Sequence, residues 1–168
     1  LALHGAEERE RCLAEGMRMP SPYPGTTRLE RLFEAQAALR PDAVAVVGAS
    51  ESLTYRDLDL RANRLARELD ASGSGAPRRV GVCLERGPDL VVALLATLKA
   101  GAAYVPLDPD LPAERLSAML ADASVALGRT DERLSARLPA GAHRVVCIDL
   151  DALRIAQRPG GAVGAGDD

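Results

Sequence analysis

The stretch that decides the fold runs from Gly87 to Pro109 and reads GPDLVVALLATLKAGAAYVPLDP. Its first half predicts a helix with both ends marked. Gly87 suits the N-cap and Pro88 the first helical position, where the N–H that proline lacks would have no partner. Gly101 suits the position just beyond the helix, where the backbone takes a positive φ. The residues between these ends are apolar on all sides, so we expect a buried helix.

Charges and a short strand complete the same stretch. Asp89 in the first turn and Lys99 in the last turn have the signs that favour a helix dipole. Residues 103–105 then form a short apolar strand, which Pro106 and Pro109 bring to an end. A buried helix that runs directly into a short strand is half of a βαβ unit, which predicts a parallel sheet.

Composition narrows the functional classes. The chain of 168 residues suffices for one domain, whose core must be built from Leu, Val and Ala because only 2% of residues are aromatic. The net charge of -3 and the lack of a basic run favour neither a nucleic-acid nor a membrane partner. No apolar run reaches the ~20 residues of a membrane span. Residues 1–19 lack the apolar segment of a signal peptide, so we expect a cytoplasmic protein. Three widely spaced cysteines argue against a disulfide framework: Cys12, Cys83 and Cys147.

Upstream of the deciding stretch, the sequence predicts a helix and a hairpin. Thr27 and Glu30 have the spacing of a capping box for a helix over 28–39. The apolar members of its spacing, which can face a core, are Leu32, Phe33 and Leu39. A strand at 43–47 follows, and residues 48–52 form a tight hairpin connection.

A second helix and a buried strand come next. Thr54 as N-cap and Asp57 three residues later form another capping box. One face of this helix is apolar and consists of Leu58, Ala62, Leu65 and Leu69. The Gly/Ser run at 72–75 ends the helix, and 80–84 is an almost wholly apolar strand of the kind found in parallel sheets.

Downstream, helices and strands continue to alternate. We expect a helix from Pro112, a strand at 123–127, a helix at 131–138 and a strand at 144–148. The fold class is therefore α/β, with an open, mostly parallel sheet and helices on its faces. Residues 1–27, rich in proline toward their end, are expected to be an interdomain linker or a disordered tail, and 28–155 to be the ordered domain. Residues 156–168 have the Gly, Ala and Pro composition of a flexible tail.

A direct search for chemistry yields few candidates. The glycines at 160–166 follow no strand closely and precede no helix, so they lack the context of a phosphate cradle. The run at 72–75 ends a helix instead of beginning one, and the chain has no Walker-type Gly-Lys-Ser/Thr sequence. His143 and Cys147 are four residues apart, but on a strand this spacing does not form a metal site.

Three carboxylates are candidate functional groups, namely Glu85, Asp89 and Asp108. Glu85 and Asp89 flank a turn at the carboxyl end of a strand, where α/β sheets often bind ligands. Acids at a helix N-terminus are more often partners of the helix dipole. Asp108, between Leu107 and Pro109, fits an Asx-type turn better than a catalytic role.

Two motifs resemble the start of an adenylation domain of the non-ribosomal peptide synthetases. Residues 53–58, LTYRDL, are similar to the family's opening Leu-Thr/Ser-Tyr-x-Glu-Leu, with Asp57 in place of Glu. Residues 98–108, LKAGAAYVPLD, match its second core motif throughout, whereas acyl-CoA synthetases have a looser stretch there. The flanking similarity covers LFEAQ at 32–36, PDAVA at 41–45, NRLA at 63–66 and PAERL at 112–116.

The resemblance implies an activity for the complete enzyme, and it also implies that this chain alone lacks that activity. Members of the family use ATP with Mg²⁺ to convert an amino acid to an aminoacyl-adenylate, and then transfer the acyl group to the phosphopantetheine thiol of a carrier protein. Their phosphate loop, adenine motif, ribose-binding Asp, substrate pocket and catalytic Lys all lie downstream of both motifs. No position of this chain matches them, so no catalytic, cofactor-binding or metal residue is assigned.

The resemblance also implies partners and leaves two hypotheses. In the complete enzyme a condensation domain precedes the adenylation domain, a peptidyl carrier protein follows it, and residues 1–27 resemble the connector after the condensation domain. On the first hypothesis the chain is the N-terminal part of an adenylating enzyme and is inactive alone. On the second it is a short docking or binding module that retains half of the fold.

Overall fold

A computed structural model describes residues 28–49, 51–71, 79–125, 127–130, 144–149 and 151–163, with the backbone alone at 127–129 and 144–147. Five helices lie in these ranges: α1 (Leu29–Leu39), α2 (Tyr55–Ala71), α3 (Pro88–Lys99), α4 (Ala113–Asp122) and α5 (Ala152–Ala156). The strands there are β1 (Val44–Val47), β2 (Ser52–Thr54), β3 (Arg79–Val82), β4 (Ala103–Pro106), β5 (Leu127–Thr130) and β6 (Arg144–Cys147).

Four strands form one parallel sheet, in the order β4-β3-β5-β6. β1 and β2 form a separate antiparallel hairpin, closed where Gly48 N–H donates to the Glu51 carbonyl at 2.8 Å. The predicted open, mostly parallel α/β architecture is confirmed. In the part of the chain that the structure describes, no helix combines the length and the apolarity needed to cross a membrane.

Apolar clusters cover both faces of the sheet. On one face, β3 packs against α2 and α3 through Val80 and Val82, which are buried with Leu65, Leu69 and Ala96. On the other face, Cys83 is buried with Leu107 and with Leu116 and Leu120 of α4. Side chains alternate between the two faces along a strand, so consecutive residues of the β3 segment serve both cores.

The helix ends follow the local chemistry of the sequence. The Thr54–Asp57 capping box is present, since Asp57 N–H donates to Thr54 Oγ1 at 3.1 Å and Thr54 N–H donates to Asp57 Oδ2 at 3.2 Å. Gly87 is the N-cap of α3 and Pro88 its first residue. Gly101 has a φ of 70° just beyond the C-cap, as its position in the sequence predicts.

Three local expectations were wrong. The N-cap of α1 is Arg28 instead of Thr27, and Arg28 makes no side-chain capping hydrogen bond. Leu39 is 73% exposed instead of facing the core, because the helix ends at this residue. The strand expected at 123–127 begins only at Leu127. Residues 123–125 instead close the C-terminus of α4, where Val125 N–H donates to the Leu120 carbonyl at 3.0 Å. The helix expected at 131–138 lies outside the described residues.

The C-terminal segment also differs from the expected flexible tail. Residues 156–163 continue the described structure beyond Ile155, and Val163 is 8% exposed within the core cluster of α2 and α3. The backbone of residues 159–162 accepts hydrogen bonds from side chains of α2. Composition predicted flexibility because glycine and alanine contribute little apolar surface, but the carbonyl groups of this segment supply its contacts. Residues 1–27 and 164–168 lie outside the described residues.

Candidate functional site

The strand order places a topological switch point between β3 and β5. The chain leaves β3 for β4 on one side and later returns to β5 on the other side. Crossover connections on either side of such a point go to opposite faces of the sheet and leave a crevice at the carboxyl ends of the strands. Open α/β sheets commonly bind ligands in this crevice.

A cleft of about 510 Å³ lies along this edge of the sheet. Its apolar lining comes from Leu65, Leu84, Val92, Ile148 and Ile155, together with Pro88 and the small residues Ala152 and Ala156. Its charged lining is Arg61, Arg64, Glu85, Arg86, Asp89 and Asp149. The cleft therefore has an apolar interior with both signs of charge around it.

The structure brings Glu85 and Asp89 together at this cleft, as their position after β3 suggested. Both side chains are exposed and both already interact with other groups of the chain. Asp89 occupies the first turn of α3, where its charge suits the helix dipole. Asp149, which sequence analysis missed, joins them from the end of β6.

An ion pair fixes the α2 side of the cleft. Arg61 donates to both oxygens of Glu51, at 3.0 Å and 2.8 Å. The hydrogen bond from Arg61 lowers the pKa of Glu51 below its ordinary value, although burial opposes this shift. The same hydrogen bond raises the pKa of Arg61, and the nearby charge of Asp89 adds to that effect. The fork geometry holds the hairpin strand β2 against α2 beside the cleft.

Arg64 contributes a partly buried cation to the lining. Its Nε atom is buried and has no hydrogen-bond partner in the described part of the chain. The described lining contains no hydroxyl, thiol or imidazole group, and no three His, Cys, Asp or Glu residues of the described ranges could hold a metal ion. The cleft is therefore suited to binding a group or packing a segment.

The other sequence candidates have structural roles or lie elsewhere. Asp108 forms the expected Asx-type turn, in which Asp110 N–H donates to Asp108 Oδ1 at 2.9 Å. Cys147 belongs to β6, where only the backbone is described, and His143 lies outside the described residues. Gly160 and Gly161 present carbonyl groups to side chains of α2. The glycines at 164 and 166, and the run 72–75, lie outside the described residues.

Sequence analysis missed the residues that join distant parts of the chain. Lys99 was expected only to complement the dipole of α3, yet its side chain is fully buried between two carboxylates. Glu68 is not part of the apolar face predicted for α2, yet its side chain is 2% exposed and pairs with two arginines near the C-terminus. A charge within an otherwise apolar turn, as at Lys99, is the one local indication of such burial.

Comparisons with known proteins identify the family. The model of the AMP-binding enzyme family matches residues 33–162. A dimodular nonribosomal peptide synthase of Bacillus subtilis (strain 168) is 46% identical over 130 residues, which cover 77% of this chain and 5% of that protein. Tyrocidine synthase 2 of Brevibacillus parabrevis is 44% identical over 131 residues, which cover 78% of this chain and 4% of that protein. The chain thus spans a small fraction of the length of such relatives.

Solved structures agree with this match. The AMPPNP-bound form of the non-ribosomal peptide synthetase FmoA3 superimposes with a TM-score of 0.81 at 30% identity, over 96% of this chain and 18% of that one. NpsA-ThdA of Klebsiella oxytoca, an artificially fused adenylation–PCP di-domain, superimposes with a TM-score of 0.73 at 26% identity, over 84% of this chain and 27% of that one. The chain belongs to the AMP-binding enzyme family, and its relatives there are the adenylation domains of non-ribosomal peptide synthetases.

Proposed function

We propose that this chain forms the N-terminal part of an adenylation domain that activates an amino acid for non-ribosomal peptide synthesis. In the complete enzyme, the amino-acid carboxylate attacks the α-phosphate of ATP, and the aminoacyl-adenylate and pyrophosphate are formed. The observation that carries this proposal is the family match over residues 33–162, whose second motif forms the end of the buried α3 and the parallel strand β4.

The family's phosphate loop and its adenine and ribose motifs have no match at any position of this sequence. The carbonyl groups of Gly160 and Gly161 accept hydrogen bonds from α2, which is a structural contact. We therefore assign nucleotide and metal binding to parts of an adenylation domain outside this chain. On this assignment the described residues form a packed part of the adenylation-domain fold, and the chain alone is inactive.

The partners follow from the same proposal. We infer that the acyl group passes to the phosphopantetheine thiol of a carrier protein, which the fused adenylation–PCP arrangement of NpsA-ThdA supports. A condensation domain would precede the adenylation domain in the complete synthetase. An ATP-dependent reaction of this kind also supports a cytoplasmic location.

A segment exchange tests the proposal. Residues 28–163 would replace the matched segment in an adenylation domain of tyrocidine synthase 2. Exchange of radiolabelled pyrophosphate into ATP would then be measured with each proteinogenic amino acid. We expect the chimera to retain the amino-acid preference of the parent, because the substrate pocket belongs to the parent's remaining sequence.

Two results would contradict the proposal. A monomeric chimera with parental circular dichroism but no exchange activity would show that this segment is not an adenylation-domain part. Exchange activity in the purified 168-residue chain would contradict its inactivity. The unmodified parent domain is the positive control for both measurements.

A further inference from the structure

The segment Asp151–Val163, which we call the strap, crosses α2 and is held there by a buried carboxylate. Arg154 Nε lies 2.9 Å from Glu68 Oε1, and Arg158 Nε lies 3.0 Å from Glu68 Oε2. The Glu68 side chain is 2% exposed, whereas the two arginine side chains are 44% and 36% exposed. Charge-assisted bonds to a carboxylate shielded from water are stronger than exposed ones.

A second anchor lies on the same side of α2. Arg67 donates to the carbonyl groups of Pro159, Gly161 and Ala162, at 2.5 Å, 2.8 Å and 2.8 Å. Asn63 Nδ2 donates to the Gly160 carbonyl at 3.0 Å. Positions four residues apart share a face of a helix, so Asn63 and Arg67 meet the strap together.

Close packing adds to these polar contacts at one point. Gly160 lies so near α2 that a Cβ atom at this position would overlap Leu60 Cδ1. A larger residue at this position would require the Leu60 side chain to shift. Val163, at the far end of the strap, is buried in the core cluster.

The strap is a wall of two cavities. Ala152, Ile155 and Ala156 line the cleft at the carboxyl edge of the sheet. Gly160 and Ala162 line a second groove, of about 500 Å³, between α1 and α2. Displacement of the strap from α2 would therefore widen both cavities at once.

The strap buries little apolar surface of its own. Within it Val163 is the buried residue, Ile155 is half-buried, and Leu153 is 82% exposed. Segments held by polar contacts, with few buried apolar side chains, are those that open locally at a free energy below that of global unfolding. The sheet and α3, in contrast, contain the main apolar core.

We propose that the strap is a conformational device that opens and closes over α2 as one unit, with Glu68 as its latch. In the closed state the two arginines and the carbonyl groups are engaged, and α5 narrows the cleft. In the open state these contacts are lost while the sheet, α2 and α3 keep their packing. Opening exposes the apolar lining of the cleft to solvent.

Native-state hydrogen exchange of the full chain tests this proposal without any substitution. The reporter amides in the strap are those of Ile155, Gln157 and Arg158, whose acceptor carbonyl groups also lie in the strap. These hydrogen bonds should be lost once the strap leaves α2, because an isolated helix of 5 residues is not stable in water. We expect them to exchange faster than amides of α3, and with a smaller dependence on added urea, because opening exposes less surface than unfolding. Equal exchange and equal urea dependence in the strap and α3 would overturn the proposal.

Glu68→Gln tests the latch, and Asp42→Asn is its matched control, since the Asp42 side chain is 84% exposed and lines neither cavity. We expect Glu68→Gln to accelerate the strap amides roughly ten- to a hundredfold, the equivalent of one charged hydrogen bond. Amides of α3 that exchange through global unfolding should accelerate by no more than the same factor, because only the closed state loses the contact. Asp42→Asn should change neither group of amides. Unchanged strap amides in Glu68→Gln, or acceleration of α3 amides alone, would overturn the assignment of Glu68 as the latch.

Discussion

The fully buried ammonium group of Lys99 allows a demanding test of what joins the helices. Lys99 Nζ lies 2.5 Å from Glu34 Oε1 on α1 and 2.9 Å from Asp59 Oδ1 on α2. It also lies 6.0 Å from the centre of the Phe33 ring. The last turn of α3 is therefore joined to two other helices by a single cation.

The exposures of the three groups determine the expected energies. The Lys99 side chain is 0% exposed, but those of Glu34 and Asp59 are 20% and 29% exposed. The carboxylates of Glu34 and Asp59 therefore keep part of their hydration, whereas the ammonium group of Lys99 has no access to water. Burial raises the pKa of Glu34, but the hydrogen bonds and charges of Lys99 and Arg31 outweigh it and hold this pKa below its ordinary value.

The perturbation is a set of carboxylate substitutions. Glu34→Gln and Asp59→Asn each leave Lys99 with one carboxylate. Glu34→Gln should lower the free energy of unfolding by about 1.5 kcal/mol, as for a hydrogen bond to a charged group. Asp59→Asn should lower it by about 1 kcal/mol, because Asp59 Oδ1 forms an ion pair with Lys99 without a hydrogen bond. The double variant leaves a buried, uncompensated charge, for which the loss is about 3–5 kcal/mol. The two substitutions should therefore couple by about 0.5–2.5 kcal/mol.

A triple variant separates the charge from the contacts. Adding Lys99→Met to the double variant removes the unpaired charge and keeps most of the side-chain volume. It should recover about 2 kcal/mol, because replacing a buried ionic group with apolar side chains is often neutral or stabilising. If Lys99 made only favourable contacts in the double variant, its replacement would instead lower the free energy of unfolding further.

Urea unfolding followed by circular dichroism at neutral pH measures all four variants. Asp42→Asn is the control, because its side chain is 84% exposed and its loss should cost under about 0.5 kcal/mol. The reasoning is refuted if the double variant is no less stable than the weaker single variant. It is also refuted if Lys99→Met lowers the stability of the double variant further.

Three further results are expected. The lowered pKa of Glu34 contributes stability that is complete above its ordinary value of 4.5 and is lost as pH falls through the folded value. The difference in the free energy of unfolding between wild type and Glu34→Gln should therefore be constant from neutral pH to about pH 5. Below that pH the difference should shrink, as urea titrations would show. Thr54→Ala should cost about 1 kcal/mol through loss of the cap and Thr54→Ser little, as thermal unfolding would show. Gly101→Ala should cost about 1 kcal/mol because of its φ of 70°, whereas Gly87→Ala, in extended backbone with no atom within 4 Å of an added Cβ, should be nearly neutral; equal losses would contradict this explanation.

The helix-to-strand joint could be predicted from sequence because its determinants are local. Pro88 at the first helical position, Gly101 at the end and the uniformly apolar residues between them each specify the same structure. The second capping box, Thr54 with Asp57, is local in the same sense. Agreement of independent local preferences is what makes a segment predictable without its tertiary context.

The strap and the buried charges could not be predicted in this way. Arg158 is 90 residues from Glu68 in the chain, and Lys99 is 65 residues from Glu34. Such pairs leave no periodicity in either segment, so each charge is most simply interpreted as a solvated one. The same applies to the glycines at 160 and 161, whose carbonyl contacts depend on the position of α2 and not on their own composition. The cleft was partly predictable, because the carboxyl end of β3 is recognisable from sequence and places Glu85 and Asp89 there.

The buried position of Lys99 changes how the second motif should be understood. A cation in the last turn for the sake of the helix dipole could be lysine or arginine, because both carry the charge. A compact ammonium group enclosed between Glu34 and Asp59 is a narrower requirement, since a planar guanidinium group needs more room and more acceptors. The motif therefore specifies a junction of three helices as well as a helix end. The resemblance of this motif to adenylation domains accordingly indicates a shared architecture of packed helices.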